Sequence, residues 1–516
     1  MDEFVRLDEH LRMSARDHGD DYAYSYLGKR VTYKELYARV LRISGFLYES
    51  GFRKGDGMAI ILPNSDAFLE MYHAALAIGM FVVPLNPLYT PNELLYMLKD
   101  SAVKMIVAPV QMAPIAPMVL QALPGVRLIV AGDSEETLPD SLISYESVLE
   151  HNPLTKVAED LTVEDLAVVL YTSGTTGKPK GAMLTHRNLS SNAMMAGVYL
   201  GFSGSDRIVT VLPMFHVFSL TVCVNAGIFR AAELIILPRF SPKEVITVIE
   251  ETKATIFAGV PTMYNFILQA AGDRVVDFHS LRYCISGGAA MPVAVLEAFE
   301  KRFSVTVLEG YGLSEASPIT AFAPVDGRPR KVGSIGVSLP MVDQKVVNEF
   351  DEEVPVGEVG ELVVRGPNVM KGYLGLPKET ETALRNGWLH TGDMARMDED
   401  GYFYIVDRKK DMILVGGFNV YPREVEEVLF TYEGVLEVAV VGMPNPDYGE
   451  EVVACIVRKN ESVTEEKIRH FCETRLAKYK QPTKILFMDE LPKNMTGKIV
   501  RRELREQLAD QLKKNS

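Results

Sequence analysis

Hydroxyls, glycines and ammonium groups crowd into YTSGTTGKPKG, Tyr171 to Gly181. Thr172, Ser173, Thr175 and Thr176 supply hydroxyls, Gly174, Gly177 and Gly181 free the backbone, and Lys178 and Lys180 add positive charge. Such groups suit a phosphate. The spacing departs from the ordinary P-loop, because no Gly-Lys-Ser/Thr follows Gly174 at the required distance. Pro179 disfavours a helix starting there, so any grip comes from hydroxyls, backbone N–H groups and lysines rather than from a helix N-terminus. A solvated glycine-rich turn is the competing reading. Kinases and dehydrogenases are poorly supported, since neither the P-loop nor GxGxxG occurs between a strand and a helix.

The stretch follows AVVLY, a buried strand. Around it, helices alternate with β-branched runs such as MAIILP, FVVPL, IVTVLP, ELIILP and VTVLEGYG, which predicts a layered α/β domain with largely parallel strands. Met58–Asn86 and Ile208–Arg239 share the order strand, proline, helix, strand, proline, as one α/β unit used twice would. After about residue 340, GEVGELVVRGPNVMKGYLG and GYFYIVDRKKDMILVGG predict antiparallel hairpins. Beyond DRKKD the pattern is helix Pro422–Phe430, strands near Leu436–Val441 and Val452–Val457, helix Thr464–Leu476 and a strand at Ile485. The expected division is a large domain, 1–408, and a small α+β domain, 409–516.

With 68 Asp+Glu against 54 Lys+Arg the net charge is -14, which disfavours nucleic acid as a partner. The four cysteines, Cys223, Cys284, Cys455 and Cys472, lie far apart without CxxC pairing, so neither a zinc site nor a disulfide framework is expected. The acidic N-terminus lacks the features of a secretory signal, so a cytoplasmic protein is expected. Ile208–Phe229 is free of Asp, Glu, Lys and Arg and long enough for a membrane span, but Pro213, His216, Ser219, Thr221 and Asn225 interrupt it, and it reads as core.

YTSGTTGKPKG resembles the phosphate-gripping signature of the adenylate-forming superfamily, which includes acyl-CoA synthetases, adenylation domains of peptide synthetases and luciferases. LPMFH, SGGAAMP, EGYGLSE, NGWLHTGD, DRKKDMILVGGFNVYP and PKNMTGK follow in that family's order, so the likeness covers most of the chain and is nearest to the fatty acyl-CoA ligase branch. It implies an α/β fold: a large multi-layered N-terminal domain of two related α/β subdomains plus a β-barrel-like subdomain, then a small mobile α+β C-terminal domain. The implied reaction joins a carboxylate to the α-phosphorus of ATP, releasing pyrophosphate, after which the thiol of coenzyme A displaces AMP.

By the same resemblance, Glu315 and Thr172 hold Mg²⁺, and Thr172, Ser173, Gly174, Thr175, Thr176, Gly177, Lys178 and Ser314 contact phosphate. Tyr311 stacks on adenine within Glu309, Gly310, Tyr311 and Gly312, with Gly287, Gly288 and Ala289 on the other face. Asp393 accepts from the ribose hydroxyls, with Ile405 and Arg408 near the same sugar. Lys498 bridges the substrate carboxylate and the α-phosphate. Lys410 is the hinge, Gly416 and Gly417 open a path for the coenzyme A thiol, and His216 lies near the carboxylate. Read without the family, Ser314 is a helix N-cap, SGGA a tight turn, Lys498 a surface lysine and His216 a packed core residue.

Leu212–Phe229 has no acidic residue to pair a substrate ammonium, which disfavours amino acids, since a buried unpaired charge is costly. With Ala258–Leu268 the segment suits an apolar acyl chain or an aryl ring. The expectation is a fatty acid–CoA ligase using ATP, Mg²⁺ and coenzyme A. It is a monomer or homodimer without a transmembrane segment, and peripheral membrane contact is left open. The alternatives are an aryl- or aryl-propenoyl-CoA ligase, a luciferase-like adenylating oxygenase and a non-catalytic binder.

Overall fold

Two echoing segments fold alike. Gly57–Ile60, helix Asp66–Ala77 and Phe81–Pro84 make one crossover, with Met58 beside Val82 in parallel register. Arg207–Thr210, a π-wound turn Ser219–Asn225 continuing into Ala226–Phe229, and Glu233–Ile236 make the other, with Ile208 beside Leu234. Asn64 joins the two units: its amide donates to the carbonyls of Leu212 (3.0 Å) and Leu237 (3.1 Å), and its Oδ1 accepts the Met214 N–H (2.7 Å). The charge-free segment after Arg207 is therefore core: Leu212, Leu220, Val222 and Val224 are all buried.

The computed structural model describes residues 4–132, 138–155, 160–172, 178–494 and 497–514. Among these, each crossover sits inside a large mixed sheet, one of eight strands and one of nine. The central strands are parallel and buried on both faces, as their continuous apolar sequences require. The two sheets are largely parallel, as expected, and become antiparallel at their edges. Leu166–Thr172 and Lys180–Thr185 pair antiparallel, as do Val307–Gly312 and Ile319–Phe322, because connections this short cannot carry a parallel crossover.

The texture change after residue 340 marks an antiparallel sheet of Asp343–Val347, Gly360–Arg365, Leu389–Met397 and Phe403–Arg408. Its four strands form an open path, so the barrel-like expectation is replaced by an open sheet among the described residues. Neither predicted hairpin forms. Gly372–Tyr373 leaves the Gly360–Arg365 strand to pair with Lys180–Thr185, and Ile413–Val415 leaves Phe403–Arg408 for the next sheet.

That last sheet combines Ile413–Val415, Phe418–Val420, Val435–Asn445, Gly449–Arg458 and Lys484–Phe487. Period-two alternation gives it two apolar faces. Val438 and Val440 pack with helices Pro422–Phe430 and Glu465–Glu473, whereas Ala439 and Val441 pack with Leu504 and Leu508 of helix Arg501–Lys514. All four cysteines are buried and free.

Candidate active site

The described ends of the stretch Tyr171–Gly181 lie on two antiparallel strands in which Thr172 is opposite Lys180. Ser173, Gly174, Thr175, Thr176 and Gly177 lie outside the described residues. Lys178 is exposed, its ammonium 5.8 Å from the Tyr96 ring centroid. At the inner end of the pair, Glu315 Oε1 accepts hydrogen bonds from the Thr172 hydroxyl (3.3 Å) and the Tyr373 hydroxyl (2.9 Å). Ser314 is not an N-cap: Leu313 holds that position before a single 3₁₀ turn, Ser314–Ala316.

Tyr373 escaped the sequence reading. It reaches Glu315 because Gly372–Tyr373 pairs with Lys180–Thr185, placing Tyr373 opposite Ala182. The Lys180 ammonium lies 5.2 Å from the same ring. A carboxylate beside a hydroxyl is a fit for Mg²⁺, which takes one or two protein oxygens and completes its shell with phosphate and water. Among the described residues no cluster of three or more His, Cys, Asp or Glu could cage a metal without such help.

A second polar group gathers on the antiparallel sheet. Asp393, 3% exposed, accepts from the Tyr311 hydroxyl and pairs with Arg408 Nε at 3.0 Å. The Asp393 carboxylate holds the Arg408 guanidinium more firmly charged, while burial and Asp393 push the Tyr311 hydroxyl well above its ordinary value. Gly312 is needed for close approach, since a Cβ there would lie 2.1 Å from the Pro318 carbonyl oxygen. Gly287 packs against the Gly310 backbone, while Gly288 and Ala289 are exposed. Glu309 is buried, and its charged neighbours are Arg423 and Glu427 of the small domain and Arg330; burial pushes its carboxyl up to about 7. The Ile405 carbonyl accepts from Arg423 Nη1 at 2.8 Å.

Lys498 comes from the small domain. Its loop is closed by Asn494, whose N–H donates to the Lys498 carbonyl and whose Oδ1 accepts the Lys498 N–H, both at 2.9 Å. Gly497 at φ +78° leans on the large domain, where a Cβ would lie 2.6 Å from Thr262 Oγ1. That hydroxyl donates to the Gly497 carbonyl at 3.3 Å. Burial and the nearby Arg408 pull the Lys498 ammonium down to about 8, against the opposing pull of Asp393. Burial and Lys498 likewise pull His216 down to about 4. One side chain of the small domain is therefore within electrostatic reach of Asp393, Arg408 and His216.

Beside it opens a cavity of about 150 Å³ lined by Asn86, Tyr171, Phe215, His216, Ser314 and Asn494, among others. The apolar residues expected to hold an acyl chain mostly pack the core: Met214, Leu220, Tyr264 and Ile267 are buried. Thr262 and Asn265 instead meet the small domain, the latter donating to the Leu436 carbonyl at 3.4 Å. Lys410 is exposed between the two sheets it connects, and Gly416 and Gly417 form an exposed hairpin turn that is not part of the cavity lining.

Two crossover-built mixed sheets, with a small α+β domain docked across them and contributing a lysine, have the architecture of the adenylate-forming superfamily. The chain belongs to the AMP-binding enzyme family: the model described as "AMP-binding enzyme" matches residues 11–374, and that described as "AMP-binding enzyme C-terminal domain" matches residues 424–498. It is 40% identical to a long-chain-fatty-acid–CoA ligase of Bacillus subtilis, covering 96% of this chain and 93% of that one. It is 37% identical to a feruloyl-CoA synthase of an Amycolatopsis species, covering 93% and 94%. ATP-bound MatB from Rhodopseudomonas palustris superposes with a TM-score of 0.90 at 34% identity, covering 98% of this chain and 99% of that one. Apo MatB, at 33% identity and the same coverage, gives 0.79.

Proposed function

We propose that the protein activates a fatty acid with ATP, forming an acyl-adenylate and pyrophosphate, and then transfers the acyl group to coenzyme A with release of AMP. The observation that carries this is the docking of the Lys498 loop on the large domain, where the Thr262 hydroxyl donates to the Gly497 carbonyl and Lys498 comes within electrostatic reach of Asp393, Arg408 and His216. In the first step an anionic carboxylate meets an anionic phosphate, so the barrier is largely charge repulsion, and a cation aimed at the developing charge lowers it. Lys498 is that cation. At pH 7 it remains mostly protonated with its ionisation at about 8.

Glu315 and Thr172 would hold Mg²⁺, which when bound supplies further charge neutralisation at the phosphates. Ser173, Gly174, Thr175, Thr176, Gly177, Lys178 and Ser314 contact phosphate in this reading. Tyr311, with Gly287, Gly288, Ala289, Gly310 and Gly312, accommodates adenine, and Asp393 and Arg408 take the ribose hydroxyls. The units 1–408 and 409–516 swing about Lys410 between half-reactions, bringing Gly416 and Gly417 toward the adenylate. The better match to ATP-bound than to apo MatB at nearly equal identity supports an adenylation-like arrangement here.

The 40% identity to the Bacillus subtilis ligase supports a long-chain acid as substrate. The cavity beside His216 has about the volume of one that holds benzene, so a long chain must extend beyond it. The feruloyl-CoA synthase relative favours aryl-propenoic acids as the second reading. No helix among the described residues is long and apolar enough to cross a membrane, and a cytoplasmic protein touching bilayers only peripherally fits a hydrophobic product.

The deciding experiment offers ATP, Mg²⁺, coenzyme A and a panel of acids, and measures AMP, pyrophosphate and thioester. AMP and thioester with C12–C18 acids support the proposal. ADP in place of AMP overturns it. Preference for ferulate moves the assignment to the aryl branch, and oxygen-dependent light to the oxygenase reading.

A further inference from the structure

We propose that the protein carries a second site for a hydrocarbon chain, on the outer face of the eight-stranded sheet, and that a chain bound there firms the helix that anchors both described ends of the phosphate stretch. The site is a cavity of about 140 Å³, close in volume to the one beside His216. Ile61, Ile106 and Leu128 form its floor and Leu94 and Leu98 of helix Pro91–Asp100 one wall, all buried, while Met118, 53% exposed, stands at its mouth. Asn92 is the one polar side chain among the described lining residues, and it is exposed.

Side chains alternate across an extended strand, which separates this cavity from the site described above. Ile60, Val107 and Ile129 pack into the core that holds Leu212 and Leu220, whereas their chain neighbours Ile61, Ile106 and Leu128 pack into another core with Leu94 and Leu98. The cavity is therefore not an extension of the one beside His216. A space walled by apolar side chains disfavours a charged guest and suits an apolar one of about six carbons, since a cavity of about 150 Å³ holds benzene. A longer chain emerges at Met118 with its polar end in water.

The two helical walls differ. Pro91–Asp100 starts on a capping box between Thr90 and Glu93. The turn Val110–Ile115 and the helix Ala116–Ala122 have no side-chain cap and bury only Ala116. The second wall yields to admit a guest while the first keeps its place.

The firm wall is tied to the phosphate stretch. The Tyr171 hydroxyl donates to Asp100 Oδ2 at 2.7 Å and lies 3.2 Å from the Met97 carbonyl oxygen, and the Tyr96 hydroxyl donates to the Pro179 carbonyl at 3.2 Å. Tyr171 also lines the cavity beside His216. A guest touching Leu94 and Leu98 adds contacts to this helix in the arrangement that makes those anchors, and so raises the population of that arrangement. ATP held by the anchored stretch then binds more tightly, and chain and ATP strengthen each other's binding by one factor. The acid and its thioester both carry such a chain, so the inference rests on the function proposed above.

The test uses the full protein and 1-hexanol, which has a six-carbon chain and no carboxylate to activate. Calorimetry should detect hexanol binding. Saturating hexanol should lower the Kd for ATP with Mg²⁺ about 5-fold or more, and ATP should lower the Kd for hexanol by the same factor. Ala122→Phe and Ala116→Leu each fill the cavity from its yielding wall, and each should abolish both binding and coupling. Two positions are used so that misfolding of one variant leaves the other. Tyr96→Phe combined with Tyr171→Phe removes the anchors, so hexanol should still bind but no longer affect ATP.

No hexanol binding to the native protein would overturn the site. So would binding that persists in both filled variants, which places hexanol beside His216 instead. Binding that leaves the Kd for ATP unchanged, or coupling that survives loss of both tyrosine hydroxyls, would overturn the role of helix Pro91–Asp100. If the filled variants alone lose hexanol while no acid is adenylated, the function is wrong and the site stands. If acids are adenylated but hexanol does not bind, the site is wrong and the function stands.

Discussion

Asp393 and Arg408 face each other as register partners on neighbouring antiparallel strands, and Arg408 Nε sits 3.0 Å from Asp393 Oδ1. The pair presents one acceptor and one cation at the point Lys498 approaches. Asp393→Asn should therefore raise the KM for ATP about 10-fold or more, as loss of a charge-assisted contact does. Stability should fall modestly, because Asp393 is buried and held by Tyr311 while the Arg408 side chain is 43% exposed and partly screened by solvent. Steady-state kinetics and thermal unfolding of the one variant check both expectations. An unfolded variant would show that Asp393 is structural instead.

Lys498 titrates at about 8, pulled down from the ordinary lysine value by burial and by Arg408. The protonated form does the work, so adenylation should decline as pH rises through 8, while the thioester half-reaction, measured from acyl-AMP, should not follow that limb. Lys498→Ala should lower pyrophosphate exchange at least about 100-fold, on the scale of losing a transition-state electrostatic partner. Undiminished exchange would remove Lys498 from the chemistry.

Tyr373→Phe deletes only the hydroxyl that donates to Glu315. One hydrogen bond to a charged group contributes about 1.5–3 kcal/mol. Adenylation should fall by roughly 10-fold or more, and the Mg²⁺ concentration giving half-maximal rate should rise. A titration of Mg²⁺ against rate for both proteins is the check, and identical curves would leave Tyr373 as packing alone.

Three buried histidines make the fold acid-sensitive. Burial, with smaller contributions from neighbouring charges, pulls His10, His73 and His186 each down to about 3, and both ring nitrogens of His73 lack a hydrogen-bond partner. In the unfolded chain they titrate near the ordinary value of about 6.5, so below that pH the unfolded state binds more protons. Their stabilising contribution is present above about 6.5 and is lost as pH falls toward 3. The slope is at most about 1.4 kcal/mol per pH unit for each histidine. Urea unfolding between pH 7.5 and 5 should show this fall, and His73→Phe should make it shallower.

The features legible in the sequence were those that depend on neighbours in the chain. Helix Pro422–Phe430 was readable from proline at its start and apolar spacing, and both crossover units from strand, proline and helix in series. The glycine and hydroxyl chemistry of Tyr171–Gly181 needed no fold to be noticed, nor did the absence of a carboxylate between Leu212 and Phe229.

Tertiary structure decided which distant residues share a site. Tyr373 meets Glu315 only through the register of an edge strand, and Glu309 is turned toward Arg423 and Glu427 rather than revealed by its motif. The two failed hairpins follow the same logic, since Gly372–Tyr373 and Ile413–Val415 each found a partner strand remote in sequence. Periodicity records which face of an element is apolar, but not which of several apolar faces it meets. Strand order and the docking of one domain on another are settled by burial summed over the whole chain, and here that sum brings Lys498, Asp393, Arg408 and His216 together.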